Sequence, residues 1–278
     1  MSLYRSLLLP LAFCVAACGS SSGEAAHGTA EASSSATPAA ASRPAREAYP
    51  VPAETQAIVD AADRSDADKA LDAGRHPAEM LAFFGVAPGM SVADIAAGGG
   101  YSSELFARAV GPKGKVWGQN SPMILEKFAE KPWSERLAKP VMKNVQRVDR
   151  EFDDPIPAAA GSLDGVYMVL FYHDLYWVGT DRAKMNKSIF AALKPGGFYG
   201  IIDHSAAAGA GDTGVKTLHR IEESTVRKEI EAAGFVLVRE GQFLRNPSDT
   251  LDWNDSPSAA GDKRGTSDRF ALLFKKPG

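Results

Sequence analysis

The 278-residue sequence has few cysteines, little net charge and few long apolar runs. With only two cysteines, it does not encode a scaffold held together by disulfides. Lys and Arg total 31 against 34 Asp and Glu, and a net charge of −3 gives no electrostatic reason to expect nucleic-acid binding. The hydrophobic fraction of 45% is ordinary for a globular protein and excludes a mostly disordered or collagen-like chain.

The N-terminus carries an apolar run that is typical of an export signal. Arg5 provides a short positive region, and the apolar residues 7–17 follow it. This run is too short to span a bilayer, which requires about 20 residues. Small residues Ala16 and Ala17 stand where a signal peptidase would cut. We therefore predict a signal peptide over residues 1–17.

Cys18 follows the predicted cleavage site. The tetrapeptide Val15-Ala16-Ala17-Cys18 resembles a bacterial lipobox, in which the cysteine becomes lipidated and forms the new N-terminus. Cys14 would be discarded with the signal, which leaves Cys18 as a lone exported thiol that lipidation would explain. Gly19 after the cysteine resembles the signal for outer-membrane sorting. We expect an exported bacterial lipoprotein anchored by lipid at the outer membrane and facing the periplasm; the alternative is a simple cleaved signal with an incidental cysteine.

Residues 19–48 consist mainly of Ala, Ser, Gly, Thr and Pro, and they include no Val, Ile, Leu, Met or aromatic residue. Such a segment cannot bury enough apolar area to offset the entropy lost on ordering. We predict that residues 18–48 are a lipidated cysteine and a disordered tether, and that residues 49–278 form one folded α/β domain.

Predicted strands and helices alternate along residues 49–278. The strands are expected at 91–96, 115–119, 145–149, 163–171, 198–203, 235–243 and 268–275. The helices are expected at 53–64, 66–71, 76–84, 101–110, 122–130, 133–139, 181–193 and 221–233. This alternation predicts a doubly wound, mostly parallel sheet. Because no helix separates the last two strands, we expect one of them to be antiparallel.

The segment between the first predicted strand and the Tyr101 helix is rich in glycine. Gly98 and Gly100 would let the backbone approach a ligand, and the free N–H groups at the start of the helix would face it. A dinucleotide site would need G-x-G-x-x-G, but Ser103 occupies the last glycine position. The acid expected about 20 residues later is also missing, since the second strand ends in Gln119-Asn120.

The stretch Asp94-Ile95-Ala96-Ala97-Gly98-Gly99-Gly100 matches, at its first, fifth and seventh residues, the D-x-G-x-G-x-G motif of class I S-adenosylmethionine-dependent methyltransferases. Residues 163–175, 193–197 and 232–235 resemble, in the same order, that family's fourth-strand motif, L-K-P-G-G turn and A-G-F turn. The chain therefore resembles this family over about residues 90–240. The resemblance implies a Rossmann-like, seven-stranded sheet with helices on both faces and S-adenosyl-L-methionine as cofactor.

The resemblance also implies a set of cofactor contacts. They are Asp94, Ala96, Gly98, Gly100, Tyr101, Gln119, Asn120 and Asp149. Asp149 is expected to contact the adenine; the alternative is that it is only a solvated acid. Ala96 departs from the family by replacing the first glycine. Gln119-Asn120 replaces the acid that usually holds the ribose hydroxyls; either amide can bond a diol, but without charge, so we expect weaker affinity.

The end of the fourth strand is where the resemblance places the acceptor pocket. We predict His173 as general base, Asp174 as its orienting group and Tyr172 as a wall for the sulfonium through a cation–π contact. Alternatively, His173 only caps the end of the strand.

Three functions stay open at this point. The first is a methyltransferase with a small-molecule acceptor, although its cofactor is made inside cells and the signal directs this chain out of the cytoplasm. The second is a non-catalytic, ligand-binding envelope lipoprotein. The third is a metal-assisted envelope enzyme, with His173, His204, His219 and Glu222 as candidate ligands. Because the sequence has neither an H-E-x-x-H motif nor a cysteine ligand set, we favour the first hypothesis and assign no metal ligand.

Overall fold

The computed structural model describes residues 43–278. The predicted signal peptide, Cys18 and most of the predicted tether lie outside the described residues. The last part of the tether is described, and it contacts the folded body. Arg43 Nη2 donates to the carbonyl of Pro247 at 2.7 Å, and Arg46 pairs with Glu79 at 2.8 Å. The predicted boundary at residue 49 therefore lies too far along the chain.

Seven strands form a single sheet in the described part of the chain. They are β1 (Ser91–Ile95), β2 (Lys115–Asn120), β3 (Val145–Asp149), β4 (Leu163–Val169), β5 (Leu193–His204), β6 (Val236–Gly241) and β7 (Arg269–Lys275). Their order is β3-β2-β1-β4-β5-β7-β6. The first five strands pair in parallel, and β7 runs antiparallel to both of its neighbours. The sheet is thus mixed, with its antiparallel pairs at one edge, and the expected antiparallel strand is confirmed.

Nine α-helices accompany the sheet within the described residues. They are α1 (Ala53–Val59), α2 (Asp66–Arg75), α3 (Pro77–Phe84), α4 (Tyr101–Val110), α5 (Pro122–Ile124), α6 (Glu130–Leu137), α7 (Asp174–Trp177), α8 (Arg182–Ala192) and α9 (Glu223–Glu231), with a π-helical turn at Leu125–Ala129. From residue 43 onward, no helix combines the length and apolar character needed to cross a bilayer.

The helices are expected on both faces of the sheet because of the strand order. The chain moves in one direction from β1 to β3 and in the other from β4 to β5. Right-handed crossovers then place α4 and α8 on opposite faces. The packing of α3 against α4, and of α8 against α9, agrees with this arrangement.

Two predicted helices are shorter than expected, for identifiable reasons. The first ends at Val59 because Arg64 turns back, donating to the Val59 carbonyl at 2.7 Å and pairing with both oxygens of Asp72 at 2.6 and 2.7 Å. The helix predicted over 221–233 begins at Glu223, since Ile221 forms a β-bridge with Ser205.

The packing of α6 positions the segment that follows β1. Trp133 of α6 is fully buried. A Cβ atom at Gly100 would lie 2.4 Å from the Trp133 ring, and one at Gly118 would lie 2.6 Å from it. Glycine at both positions therefore allows α6 to pack directly against β2 and the start of α4. The strand order reverses between β1 and β4, which is where open α/β sheets form a ligand crevice.

Candidate functional site

Residues 96–100 connect β1 to α4 and form what we call the glycine loop. Ala96, Gly98 and Gly100 have φ values of 59°, 54° and 81°, so three of its five residues are left-handed. Residues 96–99 are half-buried. A Cβ atom added at Gly98 would meet nothing within 4 Å. The backbone at Gly98 therefore faces open space, as the approach of a ligand requires.

Ala96 adopts a conformation that normally belongs to glycine. The left-handed region costs an L-residue about 1–2 kcal/mol. The Gln119 side-chain carbonyl accepts a hydrogen bond from the Ala96 N–H at 3.1 Å and helps to hold this conformation. The replacement of the motif's first glycine therefore leaves the loop geometry in place but introduces strain.

The amides of Gln119 and Asn120 hold the glycine loop through hydrogen bonds to its backbone. Asn120 is fully buried; its Oδ1 accepts from the Gly98 N–H at 2.8 Å, and its Nδ2 donates to the Gly98 carbonyl at 3.1 Å. Gln119, also buried, accepts from Ala96 and donates to the Arg150 carbonyl at 2.6 Å. These contacts use one donor and one acceptor site of each amide, and the role of Gln119 and Asn120 as ribose ligands stays a prediction.

Asp94 connects β1 to the first turn of α4. Its buried carboxylate accepts a hydrogen bond from Ser103 Oγ at 2.5 Å. Burial raises the pKa of Asp94 to about 7, although the side-chain and backbone hydrogen bonds from Ser103 act in the opposite direction. Asp94 thus fixes the angle at which the chain leaves the strand and begins the helix.

Tyr101 and Asp149, two further predicted cofactor contacts, lie in different surroundings. The Tyr101 hydroxyl donates to Asp72 on α2 at 2.6 Å, and its ring centroid lies 4.4 Å from the Arg75 guanidinium carbon. Asp149 ends β3 with a side chain that is 42% exposed and paired with Arg147 at 2.9 Å. The structure therefore places Asp149 at the surface, while Tyr101 connects the glycine loop to α2.

A cavity of about 480 Å³ opens at the carboxyl ends of β4 and β5. Part of α2 lines it, together with residues 255–257 and 264–266 of the long polar loop before β7. Its titratable lining consists of Arg75, His173, Asp174, His204, His219, Asp255, Arg264 and Arg269. Because Arg75 also contacts Tyr101, this cavity lies next to the start of α4.

His173 lies at the end of the fourth strand, as predicted, but its orienting group is Asp203. His173 Nδ1 lies 2.7 Å from Asp203 Oδ1, and the His173 backbone N–H donates to Asp203 Oδ2 at 2.8 Å. Burial opposes the charged imidazolium, but the Asp203 carboxylate outweighs it and raises the pKa of His173. Asp174, the predicted orienting group, instead lies 3.3 Å from Nε2, the other ring nitrogen. That part of the prediction is wrong.

Tyr172 does not face the cavity. Its side chain is fully buried, its hydroxyl donates to Glu229 Oε2 at 2.8 Å, and Asn186 Nδ2 donates to that hydroxyl at 2.9 Å. These contacts place it against α8 and α9. The predicted cation–π wall for a sulfonium is therefore wrong.

The candidate metal ligands are only partly brought together. His219 Nδ1 lies 3.2 Å from His173 Nε2. His204 Nδ1 instead lies against the Asp255 carboxylate and 2.9 Å from Ser267 Oγ, and Glu222 accepts a hydrogen bond from the Gly211 backbone at 2.7 Å. Asp174 joins His173 and His219 in place of the other two residues.

Comparison with known proteins agrees with the fold. Residues 32–150 match the family model of protein-L-isoaspartate(D-aspartate) O-methyltransferase. The chain is similar to an S-adenosylmethionine-dependent methyltransferase from Aquifex aeolicus, with 19% identity, coverage of 80% of this chain and 97% of that one, and a TM-score of 0.50. A protein from Galdieria sulphuraria assigned as a sarcosine dimethylglycine methyltransferase shows 16% identity over 84% of this chain and 94% of that one, with a TM-score of 0.52.

The fold is that of the S-adenosylmethionine-dependent methyltransferases. The expected methyltransferase activity agrees with the family model that residues 32–150 match. The family match includes the glycine loop and ends directly after β3, so it covers three of the seven strands, on the side of the sheet where the sequence motif predicts the cofactor.

Ala96→Gly tests whether the loop is strained. Glycine enters the left-handed region without the steric penalty of alanine, so we expect the free energy of unfolding to rise by about 1 kcal/mol. Urea denaturation measures the change. Ala97→Gly is the matched control, because Ala97 does not have a positive φ. It should lower stability by about 0.5–1 kcal/mol. Equal effects of the two variants would show that Ala96 is unstrained.

Asp94 predicts a pH dependence of stability. The pKa of Asp94 is about 7 in the folded protein, whereas its ordinary value is 3.8. At a pH between these two values, the folded state therefore holds a proton that the unfolded state has lost. The stabilisation from this carboxyl therefore falls as pH rises through that window. Asp94→Asn keeps the shape and stays neutral, so the stability difference, variant minus wild type, should grow as pH rises. A difference that does not change with pH in urea denaturation would contradict the assignment.

Proposed function

We propose that the chain is an S-adenosylmethionine-dependent methyltransferase whose cofactor lies against the glycine loop and whose small-molecule acceptor enters the cavity. The observation that carries the proposal is the open space at Gly98, at the reversal of strand order and close to a cavity lined by ionisable groups. The bound cofactor would supply a methyl group made electrophilic by its sulfonium. The non-catalytic protein and the metal-assisted envelope enzyme receive no support from the comparisons.

The guanidinium of Arg75 is suited to bind the carboxylate of the cofactor's methionine moiety. Asp72, one turn earlier on α2, is paired with Arg64 at 2.6 Å, and Arg75 has no salt-bridge partner among residues 43–278. Its guanidinium borders the cavity and lies over the Tyr101 ring. A free guanidinium here can bind a carboxylate with two parallel hydrogen bonds. We therefore assign to Arg75 the carboxylate of the methionine moiety.

His173 remains the candidate base for an acceptor that must lose a proton. In the neutral imidazole, Nδ1–H donates to Asp203, and the lone pair of Nε2 is directed at the cavity wall, where His219 Nδ1 lies 3.2 Å away. A positioned base of this kind contributes about 10²–10⁴-fold to a rate. Asp203 would act as its positioning residue.

The acceptor itself stays unidentified. The isoaspartate named in the matching family model does not carry over, because the match ends at residue 150. Except for the α2 residues, the whole cavity lining lies later in the chain, from Leu170 onward.

The cofactor site can be tested with two glycines in similar conformations. Gly98 and Gly89 have φ values of 54° and 88°, and a Cβ atom at either position meets nothing within 4 Å. Changing either to alanine therefore introduces similar backbone strain. We expect Gly98→Ala to weaken S-adenosylhomocysteine binding at least about tenfold, equivalent to about 1.4 kcal/mol, and Gly89→Ala to leave it unchanged. Calorimetric titration measures both affinities.

Two results would contradict the proposed cofactor site. One is the absence of S-adenosylhomocysteine binding by the wild type even at millimolar ligand. The other is equal affinity in the two glycine variants, which would place the ligand away from the loop.

We also propose that the chain is exported and anchored through Cys18, with the catalytic domain facing the periplasm. The lipobox-like sequence around Cys18 and the lone exported thiol support this proposal. Labelling with radioactive palmitate in a bacterial host should mark the wild type and not Cys18→Ala. Equal labelling of both proteins would rule out lipidation at this residue.

A further inference from the structure

We propose that His173, His219 and Asp174 form a binding site for one zinc-like divalent metal ion at the edge of the cavity. Three candidate ligand atoms face one another here: His173 Nε2, His219 Nδ1 and Asp174 Oδ1. Their separations are 3.2 Å between the two nitrogens and 3.3 Å from each nitrogen to the carboxylate oxygen. The three atoms therefore form a nearly equilateral triangle.

The size of this triangle matches tetrahedral coordination. Zinc binds imidazole nitrogen and carboxylate oxygen at about 2.0–2.2 Å, and tetrahedral ligand atoms are then about 3.3–3.6 Å apart. Neighbouring ligands of a regular octahedron with the same bonds would be only about 2.8–3.1 Å apart. The observed edges favour the tetrahedral arrangement. Three protein ligands leave its fourth position open, as in catalytic zinc sites.

The hydrogen bonding around the triangle also fits a cation. Asp203 accepts from His173 Nδ1, and this fixes the tautomer that directs a lone pair on Nε2 toward the other two atoms. Asp174 Oδ1 is buried and has no hydrogen-bond partner. An unsatisfied buried carboxylate oxygen is costly. A metal ion bound to the three atoms, just out of their plane, would satisfy both His173 Nε2 and Asp174 Oδ1.

His219 is held in place by an unusual backbone conformation and a buried neighbour. Its φ is 51°, in the left-handed region that non-glycine residues rarely adopt. The next residue, Arg220, is fully buried and pairs with Asp249 at 2.8 Å. Strain of this kind persists where the surrounding structure enforces it, and it concentrates at functional sites. The imidazole of His219 is 29% exposed, so the site can be reached from solvent.

The open fourth position indicates what the ion would do. All three ligand residues line the cavity, so this position is accessible to a water molecule or to an oxygen or sulfur donor of a molecule bound there. A bound metal ion makes such a donor more acidic. His173 would then serve as a metal ligand instead of a base. Metal binding itself does not depend on the proposed methyl transfer and can be measured without S-adenosylmethionine.

A matched pair of histidine variants tests the site. His219 and His76 have φ values of 51° and 47°, and both side chains are 29% exposed. Asparagine tolerates the left-handed conformation, so His219→Asn and His76→Asn should perturb the fold similarly. We would titrate the untagged, chelator-treated protein with Zn²⁺ by calorimetry, and with Co²⁺ by visible absorption, which reports tetrahedral coordination.

The wild type and His76→Asn should each bind one equivalent of Zn²⁺ and show tetrahedral Co²⁺ absorption. His219→Asn should bind Zn²⁺ more than about 100-fold more weakly, since losing even an outer-shell partner costs 10–100-fold. Asp174→Asn, which keeps the side-chain volume, should also weaken binding. Less than one equivalent in the wild type, or equal affinities of the two histidine variants, would overturn the proposal. Neither result would bear on S-adenosylhomocysteine binding at Gly98.

Discussion

The buried side-chain amide of Asn120 forms two hydrogen bonds with the backbone of Gly98, and the position of the glycine loop depends on this contact. The amide accepts at 2.8 Å and donates at 3.1 Å. Gln119 holds Ala96 in the same way, from the adjacent position at the end of β2. Each hydrogen bond contributes about 1 kcal/mol net, whereas leaving its buried partner unsatisfied costs about 1–3 kcal/mol. The loop is thus preorganised by neutral groups at positions where the related motif carries a ribose-binding acid.

A second constraint comes from the parallel pairing of β4 and β5. Their carboxyl ends lie at the same edge of the sheet, which brings His173 and Asp203 together across 30 residues of sequence. The following segments add His219 and the long polar loop around the cavity. The glycine loop and most of the cavity are therefore built from different parts of the chain, and α2 connects them through the contacts of Asp72 and Arg75 with Tyr101.

Local sequence signals predicted two elements to the residue. The helix Tyr101–Val110, which lies between Gly100 and Gly111, and the strand Val145–Asp149 have the predicted bounds. By contrast, β5 begins at Leu193 rather than at 198, because Leu193 pairs with Leu163 far away in the sequence. The glycine loop was also predicted from the sequence. The engagement of both amides with it was not, since only the structure shows which groups they reach.

Residues adjacent in sequence were poor guides to the partners of His173. Asp174 follows His173 directly, but it lies near Nε2 and not near Nδ1, the nitrogen that an orienting group would hold. Tyr172 precedes His173, but its side chain packs against α8 and α9. Asp203 is the last residue of the strand predicted at 198–203 and was not among the predicted site residues. Arg75 carried no motif, and its position depends on how α2 packs against Tyr101. Such contacts depend on tertiary packing, which periodicity and spacing do not encode.

A crystal structure with S-adenosylhomocysteine would show whether the glycine loop, held in place by Asn120, binds the cofactor. We expect the ligand to lie along residues 96–99 with its carboxylate on Arg75, while Asn120 keeps both hydrogen bonds to Gly98. A ligand bound away from the glycine loop, or an Asn120 side chain released from Gly98 to hold the ribose, would contradict this role of the amide.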